Sequence, residues 1–229
     1  MPEQTPETLN HFAVLAFTDA YWRLPPESRR EVRDGLLSRL RAGVDSLHLY
    51  QVTAVEGQAD LLLWSASASA SPEATAHFFA GWAAAIAPAR AYFVSRDVLW
   101  GYTRPSQYTK TRSTQELDPF APHRARYLIV YPFVKTAEWY QLDRGKRQEL
   151  MAGHIRIGTQ YTDITQLLLY SFGLQDQEFV VVYETEDLRR FLALVNELRG
   201  AAGRVYTARD WPLHVGIHQP DADALAAWL

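Results

Sequence analysis

Two side chains that could do chemistry lie close together near the middle of the chain. In the run YPFVK, the phenol of Tyr131 precedes the ammonium of Lys135 by four residues. A helix-like run follows, and within it stands one imidazole, His154. A neutral imidazole can ligate a metal ion through one ring nitrogen while an acceptor holds the other N–H. These residue types suggest a metal or proton-transfer site built on a strand end and a helix.

His154 lies on the predicted apolar face of its helix. Leu150, His154 and Ile157 follow the i, i+4, i+7 spacing of a single helix face. On this pattern alone, a core histidine is the commoner interpretation. The chain carries an internal comparison, because its two halves repeat at an offset of 118 residues and place Leu36 opposite His154. Leucine meets the packing need at this position, so the fold does not require a histidine there, which weakens the core interpretation and leaves a ligand role open.

Both halves predict the same order of elements: strand, helix, strand, strand, helix, strand. In the first half the strands fall at 12–17, 46–54, 59–66 and 89–101, and the helices near 27–42 and 72–87. In the second half the strands fall at 126–131, 164–173, 178–185 and around 204–217, and the helices near 143–158 and 186–199. This βαββαβ order is the ferredoxin-like unit. The predicted fold is α+β, of the dimeric α/β-barrel type, with tandem ferredoxin-like halves at 1–115 and 116–229.

The composition excludes several classes of protein. The chain has no cysteine, which excludes disulfides, thiolate catalysis and cysteine-ligated metal sites. The net charge is −3, and the sequence shows none of the basic character that is typical of nucleic-acid-binding domains. The polar start MPEQTPETLN is unlike a signal peptide, and no apolar run reaches the about 18 residues of a spanning helix. We expect a cytoplasmic protein with neither a membrane nor a nucleic-acid partner.

Residues around the histidine carry a family likeness. The second half resembles the chlorite dismutase-like haem proteins across residues 126–217. The matching motifs are Tyr131-Pro132-x-x-Lys135, Trp139-Tyr140, the helix of His154, Gln166, Ser171-Phe172-Gly173-Leu174 and Glu178-Phe179. The resemblance implies two ferredoxin-like halves, haem bound in the second half and a ring of five identical subunits.

Two positions resemble one branch of this family more than the other. Chlorite dismutases carry an arginine above the iron, five residues before the serine of the S-x-G-L motif, and here that residue is Gln166. They also carry a glutamate behind the iron-ligating histidine, where this chain has Gly203. Glu178 and Glu184 remain candidate partners for that histidine. The pattern is similar to the branch that decarboxylates coproheme to haem b.

The resemblance implies a role for each matched side chain. His154 would ligate the iron, and Gln166 would lie on its open side. Tyr131 would carry a radical, and Lys135, expected on a loop that the first half lacks, would pair with a propionate and supply a proton. The implied substrate is Fe-coproporphyrin III, the product is haem b, and hydrogen peroxide is the oxidant.

Further contacts to the porphyrin are implied at the linker and at the start of the second half. Ser106, Gln107 and Tyr108 resemble a propionate-binding loop, and Arg126 offers a charged donor. Trp139 is interpreted first as a packing residue and second as a porphyrin contact, because the repeat pairs it with Trp22.

Two other functions stay open at this point. One is a chlorite dismutase or general haem peroxidase of the same family, which the uncharged Gln166 disfavours. The other is a non-enzymatic ferredoxin-like binding protein that has lost haem. For the first choice, a homopentamer is the expected assembly, and a ferrochelatase is the candidate protein that delivers the iron porphyrin.

Overall fold

The computed structural model describes residues 7–69, 71–105 and 114–228. The strands of the first half are β1 (Thr8–Phe17), β2 (Ser46–Gln51), β3 (Leu61–Ala68) and β4 (Phe93–Thr103). The second half holds β5 (Tyr127–Lys135), β6 (Ile164–Tyr170), β7 (Phe179–Thr185), β8 (Thr207–Arg209) and β9 (His214–Gln219). The helices are α1 (Asp19–Trp22), α2 (Pro26–Arg41), α3 (Pro72–Ile86), α4 (Ala137–Gln141), α5 (Arg144–Gly158), α6 (Leu188–Arg199) and α7 (Ala222–Ala226). Short 3₁₀ turns occupy Ala87–Ala89 and Ala202–Tyr206.

Eight of these strands close into an antiparallel barrel. Their order around the barrel is β1, β3, β2, β9, β5, β7, β6 and β4, which returns to β1, while β8 pairs with the end of β5. The halves therefore join at two seams, β2 with β9 and β4 with β6. Because the barrel is closed, the inner face of the sheet of each half packs against the inner face of the other half's sheet. The predicted fold of tandem ferredoxin-like repeats is confirmed, whereas the division at 115/116 stays a prediction.

Side chains alternate between the two faces of every strand, and this alternation divides the core into layers. The barrel interior is apolar and includes Phe12, Trp64, Leu128, Leu167 and Val182. Helices cover the outer face, with α2 and α3 on the first half. On the second half, Phe191 and Leu194 of α6 pack outside the barrel, and Ile157 of α5 packs against the same cluster.

The two equivalent helices α2 and α5 pack very differently. Helix α2 buries Arg33 and three leucines, Leu36, Leu37 and Leu40, and each leucine contributes about 2 kcal/mol of hydrophobic free energy. Helix α5 begins at the N-cap Asp143, whose carboxylate accepts the Lys146 N–H, and it buries Leu150 alone. The sheet beneath α5 is therefore less completely covered than the sheet beneath α2.

Three sequence expectations are corrected by these elements. Lys135 is the last residue of β5 and not part of a loop, so it corresponds to Phe17 at the end of β1. The buried Trp139 corresponds to the buried Tyr21, whereas Trp22 is 42% exposed. The last predicted strand is instead a 3₁₀ turn followed by the separate strands β8 and β9.

Candidate functional site

The outer face of β5, β6 and β7 presents a flat surface of mostly apolar side chains toward the helices. Cross-strand registers on this face align Gln166 with Tyr183 and Ile129, Leu168 with Val181 and Tyr131, and Tyr170 with Phe179 and Phe133. Leu168 is 43% exposed, and five of its neighbours on this face are half-buried: Tyr131, Val181, Phe133, Phe179 and Tyr170. The helices thus leave much of this apolar face open, which suits a flat apolar ligand.

His154 lies on the side of α5 that faces this sheet. Ile157, on the same helix face, packs against the cluster that contains Tyr183 and Ile129. The imidazole is half-buried, and neither ring nitrogen bonds to any residue in the described ranges. Burial lowers the pKa of His154, and the positive charge of Lys135 lowers it further. The ring is therefore neutral at pH 7, with a nitrogen lone pair free to ligate a metal.

The two candidate carboxylate partners of His154 are engaged elsewhere. Glu178 accepts a hydrogen bond from the Lys135 backbone N–H at 2.7 Å and another from the Tyr140 hydroxyl at 2.6 Å. Glu184 is buried with Tyr50 and Arg124 at the barrel seam. At Gly203, an added Cβ would lie 3.8 Å from the Cβ of Leu150, so this glycine sits against α5 one turn before the histidine.

Lys135 brings an ammonium to the edge of the open face. Its Nζ lies 4.2 Å from the Trp139 ring centroid and 5.1 Å from that of Phe133, both within cation–π range. Burial lowers the pKa of Lys135 to about 8, the charge of Arg204 acts in the same direction, and Glu178 opposes them. Because this pKa lies near neutrality, the ammonium can give up a proton under ordinary conditions.

Tyr131 lies on the same face, four residues before Lys135. Its ring stacks on that of Tyr183, with centroids 6.4 Å apart and planes 23° apart. Burial raises the pKa of Tyr131 well above its usual value, and the Tyr183 hydroxyl raises it further. The side chain is therefore a neutral phenol throughout the physiological pH range.

Gln166 is held by its backbone and leaves its side chain free. Its N–H donates to the Gln115 carbonyl at 2.8 Å, and its carbonyl accepts from the Leu117 N–H at 2.9 Å. The carboxamide makes no hydrogen bond within the described part of the chain, and the residue is exposed. An uncharged donor and acceptor is thus fixed on the sheet side of the open space, and the His154 imidazole is on the helix side.

Positive charges gather beside Tyr131 and Lys135. Arg199 and Arg204 both bind Asp210, at 2.6 and 2.8 Å. Arg199 and Asp210 affect the pKa of Tyr131, and Arg204 that of Lys135, so the cluster borders the site. The sequence did not reveal these arginines, because one ends a predicted helix and the other opens a predicted strand.

Other predicted contacts lie away from this face or outside the described residues. Arg126 precedes the opposite end of β5 from Lys135 and pairs with Glu186 at 3.8 Å. The structure therefore does not bring Arg126 to Tyr131 and Lys135. Ser106, Gln107 and Tyr108 fall outside the described residues.

A separate cavity of about 330 Å³ opens at one mouth of the barrel. Pro132 and Leu99 line it together with Asp97, Gln177 and Arg209. Pro132 points to the opposite face of β5 from Tyr131, so this cavity is distinct from the open outer face.

The described residues hold no group of three or more metal-ligating side chains. None of the helices in the described ranges has the length and apolar character needed to cross a membrane.

Comparisons with known proteins identify relatives of this chain. A family model described as chlorite dismutase matches residues 19–219. A coproheme decarboxylase of Mycolicibacterium smegmatis is 26% identical over 197 residues, which cover 83% of this chain and 82% of that protein. One from Staphylococcus saprophyticus subsp. saprophyticus is 34% identical over 108 residues, 45% of this chain and 43% of that protein.

Solved structures share the fold. A mutant chlorite dismutase of Candidatus Nitrospira defluvii matches with a TM-score of 0.81 and 23% sequence identity, over 96% of this chain and 94% of that chain. At this level of identity the likeness concerns the fold alone.

Proposed function

Because the chain belongs to the chlorite dismutase family, we propose that it is a coproheme decarboxylase, which uses hydrogen peroxide to convert Fe-coproporphyrin III into haem b. The observation that carries this proposal is the loose packing of α5. That helix buries one residue, whereas its counterpart α2 buries four, and the apolar face beneath α5 stays open. A flat macrocycle fills this space between a neutral imidazole and an uncharged amide.

In this proposal His154 ligates the iron of the substrate and Gln166 faces its open side. The imidazole is neutral and has no hydrogen-bond partner among the described residues, which supports ligation, because an imidazolium has no lone pair to give. The Gln166 amide can donate to and accept from peroxide, but it carries no charge to hold an anion such as chlorite. This absence of charge makes chlorite dismutation the weaker candidate activity.

Tyr131 carries the radical in the proposed reaction. Each propionate reacts with one hydrogen peroxide and one proton to give a vinyl group, carbon dioxide and two water molecules. The iron of the substrate supplies the oxidising power once peroxide reacts there. Tyr131 then gives up a hydrogen atom, and its phenoxyl oxygen takes one back from the propionate carbon. The carbon radical gives its remaining electron to the oxidised substrate iron as its C–COO bond breaks, which releases carbon dioxide and leaves the vinyl group. The burial of this phenol beside the open face supports the role, because transfer of a hydrogen atom requires close approach.

Lys135 supplies the proton that the second decarboxylation consumes. Its pKa of about 8 leaves it protonated at pH 7 and still able to donate. Its charge also attracts a propionate, and the neighbouring Arg199 and Arg204 extend this positive edge. We assign propionate binding to these residues and to Ser106, Gln107 and Tyr108 of the linker, with Trp139 as a wall of the site. Arg126 lies too far along β5 to join them.

The proposal also covers the assembly of the enzyme, its location and the source of its substrate. By family resemblance, the assembly is a homopentamer in the cytoplasm that receives its iron porphyrin from a ferrochelatase. Size-exclusion chromatography with light scattering measures the molar mass of the assembly. A mass that does not correspond to five subunits contradicts the proposed homopentamer.

The decisive experiment is mass spectrometry of the porphyrin after peroxide is added to protein loaded with Fe-coproporphyrin III. We expect the sequential loss of two carbon dioxide molecules, through a product with one vinyl group. Oxygen evolution from chlorite, measured with an electrode, tests the alternative activity. An unchanged porphyrin with rapid oxygen evolution would replace the proposal with chlorite dismutation, and no change in either assay would favour a binding protein.

A further inference from the structure

The strand that carries Gln166 has an edge that its neighbour in the barrel leaves uncovered. Among the described residues, β4 pairs with only the last two residues of β6. Beside Gln166 a short segment of the linker takes its place, because the Gln166 N–H donates to the Gln115 carbonyl and the Leu117 N–H donates to the Gln166 carbonyl. Leu117 is 4% exposed and packs among the side chains inside the barrel. The linker is therefore fixed against β6 at this point by hydrogen bonds and by packing.

The side chain of Gln115 extends from this segment to the end of the helix that carries His154. Its Nε2 donates to three carbonyls between α5 and β6, those of Tyr161 at 2.7 Å, Ile164 at 3.1 Å and Gly158 at 3.3 Å. Gly158 is the last residue of α5 and follows His154 by about one helical turn. The last carbonyls of a helix lack partners within the helix, so a side-chain donor placed there stabilises the final turn.

This contact matters because α5 has little other packing. The helix buries Leu150 alone, and its first turn is held by the N-cap Asp143. A helix with so few buried side chains depends on its ends for its position over the sheet. A shift of the last turn would also move His154, because both belong to one rigid element.

We propose that Gln115 is a positioning residue that sets the distance between His154 and Gln166. The proposal rests on the proposed function, in which these two side chains face each other across the porphyrin. The Gln115 carbonyl holds the Gln166 strand and its carboxamide holds the end of α5, so one residue fixes both walls of the space for the macrocycle. Methionine would fill nearly the same volume and keep the backbone bond to Gln166, but it has no N–H to hold the helix.

The first half of the chain offers a matched control. The Nε of Arg39 on α2 donates to the carbonyl of Ala85 at 2.9 Å, next to the last residue of α3. This bond is partly buried, as are the three bonds of the Gln115 carboxamide. Arg39→Met therefore removes a comparable donor from the end of a helix in the other half. It separates a general loss of stability from a loss of geometry at the site.

The first measurement is amide hydrogen exchange without substrate, read by mass spectrometry on peptides that cover residues 156–164. We expect exchange to be roughly three- to tenfold faster in Gln115→Met, the size of one neutral hydrogen bond, and unchanged in Arg39→Met. Unchanged exchange in Gln115→Met, or equal acceleration in both variants, would overturn the proposal. If Gln115→Met fails to fold, the wild type still decides. Its Gln166 N–H should be protected by the Gln115 carbonyl, and complete exchange within seconds would overturn the proposal.

The second measurement uses bound Fe-coproporphyrin III. The iron–imidazole stretch in the resonance Raman spectrum of the reduced complex reports how the histidine is held. We expect this band to shift or broaden in Gln115→Met, with affinity for ferric coproporphyrin lowered roughly three- to tenfold, the size of one neutral hydrogen bond. Arg39→Met should match the wild type. An identical band and affinity in Gln115→Met would contradict the positioning role. If the wild type binds no coproporphyrin, the proposed function fails, while hydrogen exchange still decides whether Gln115 holds α5.

Discussion

His214 joins the two halves of the barrel through two carboxylates, and its replacement should weaken the fold in a pH-dependent way. Its Nδ1 lies 2.9 Å from Glu56, in the loop between β2 and β3, and its Nε2 lies 2.8 Å from Asp97 on β4. Burial disfavours the imidazolium, but the hydrogen bonds to Asp97 and Glu56 outweigh it and raise the pKa to about 9. Because both acceptors belong to the first half, the imidazolium holds the halves together.

The magnitude follows from the pKa in the folded and unfolded states. An unfolded histidine has a pKa of 6.5, and the folded value is about 9, so the protonated form stabilises the fold by about 3 kcal/mol. This stability is fully present below pH 6.5 and is lost as the pH rises through about 9. For a chain of this length, the loss corresponds to a melting temperature lower by roughly 6–12 °C.

The assay is urea denaturation of wild type and His214→Gln at several pH values from 6 to 9.5. The difference in unfolding free energy should be about 3 kcal/mol or more at pH 6, because the variant also leaves two carboxylates facing each other, and it should shrink toward pH 9.5. His218→Gln on the same strand is the control. Burial lowers the pKa of His218, so it is neutral throughout the alkaline range. A difference for His214→Gln that stays constant with pH would refute the reasoning.

Four predictions concern the catalytic side chains. Tyr131→Phe should bind Fe-coproporphyrin III normally yet release no carbon dioxide, and normal turnover would remove its radical role. Lys135→Ala should stall after the first carbon dioxide, visible as accumulation of the product with one vinyl group, and an unchanged product ratio would count against its assigned step. In the wild type, the rate of the second decarboxylation should fall as the pH rises through about 8, whereas Lys135→Arg should show a low and flat pH profile. Gln166→Ala should slow the reaction with peroxide while the affinity for the porphyrin stays the same.

The sequence predicted the elements well because each carries its own local signal. The strands are runs of Leu, Val, Ile and aromatic residues, and the helix predicted at 143–158 matches α5 at Arg144–Gly158. The internal repeat then implied the βαββαβ order, because the same pattern occurred twice. The family resemblance implies a separate role for each of four residues: Tyr131, Lys135, His154 and Gln166. Their positions around one open face are consistent with those roles.

The sequence could not predict features that depend on pairing between distant segments. The exposure of Gln166 and its approach to the 115–117 segment depend on barrel closure. Arg126 is an anion-binding candidate by residue type, but the direction of β5 places it at the opposite end of the strand from Lys135. Tyr183 carries no spacing signal, because its neighbour across the sheet, Ile129, lies 54 residues away in the chain. Its contact with Tyr131 emerges from strand register alone.

The central claim is that the His154 imidazole ligates the iron of a porphyrin that lies between α5 and the sheet. The most direct test is a spectroscopic titration of the protein with ferric coproporphyrin, with His154→Ala as the variant and His218→Gln as the control. We predict one-to-one binding in the wild type and the control, and affinity lowered more than about a hundredfold in His154→Ala, since even outer partners of a metal ligand contribute 10–100-fold. Equal affinity and an identical absorption spectrum in His154→Ala would contradict the account.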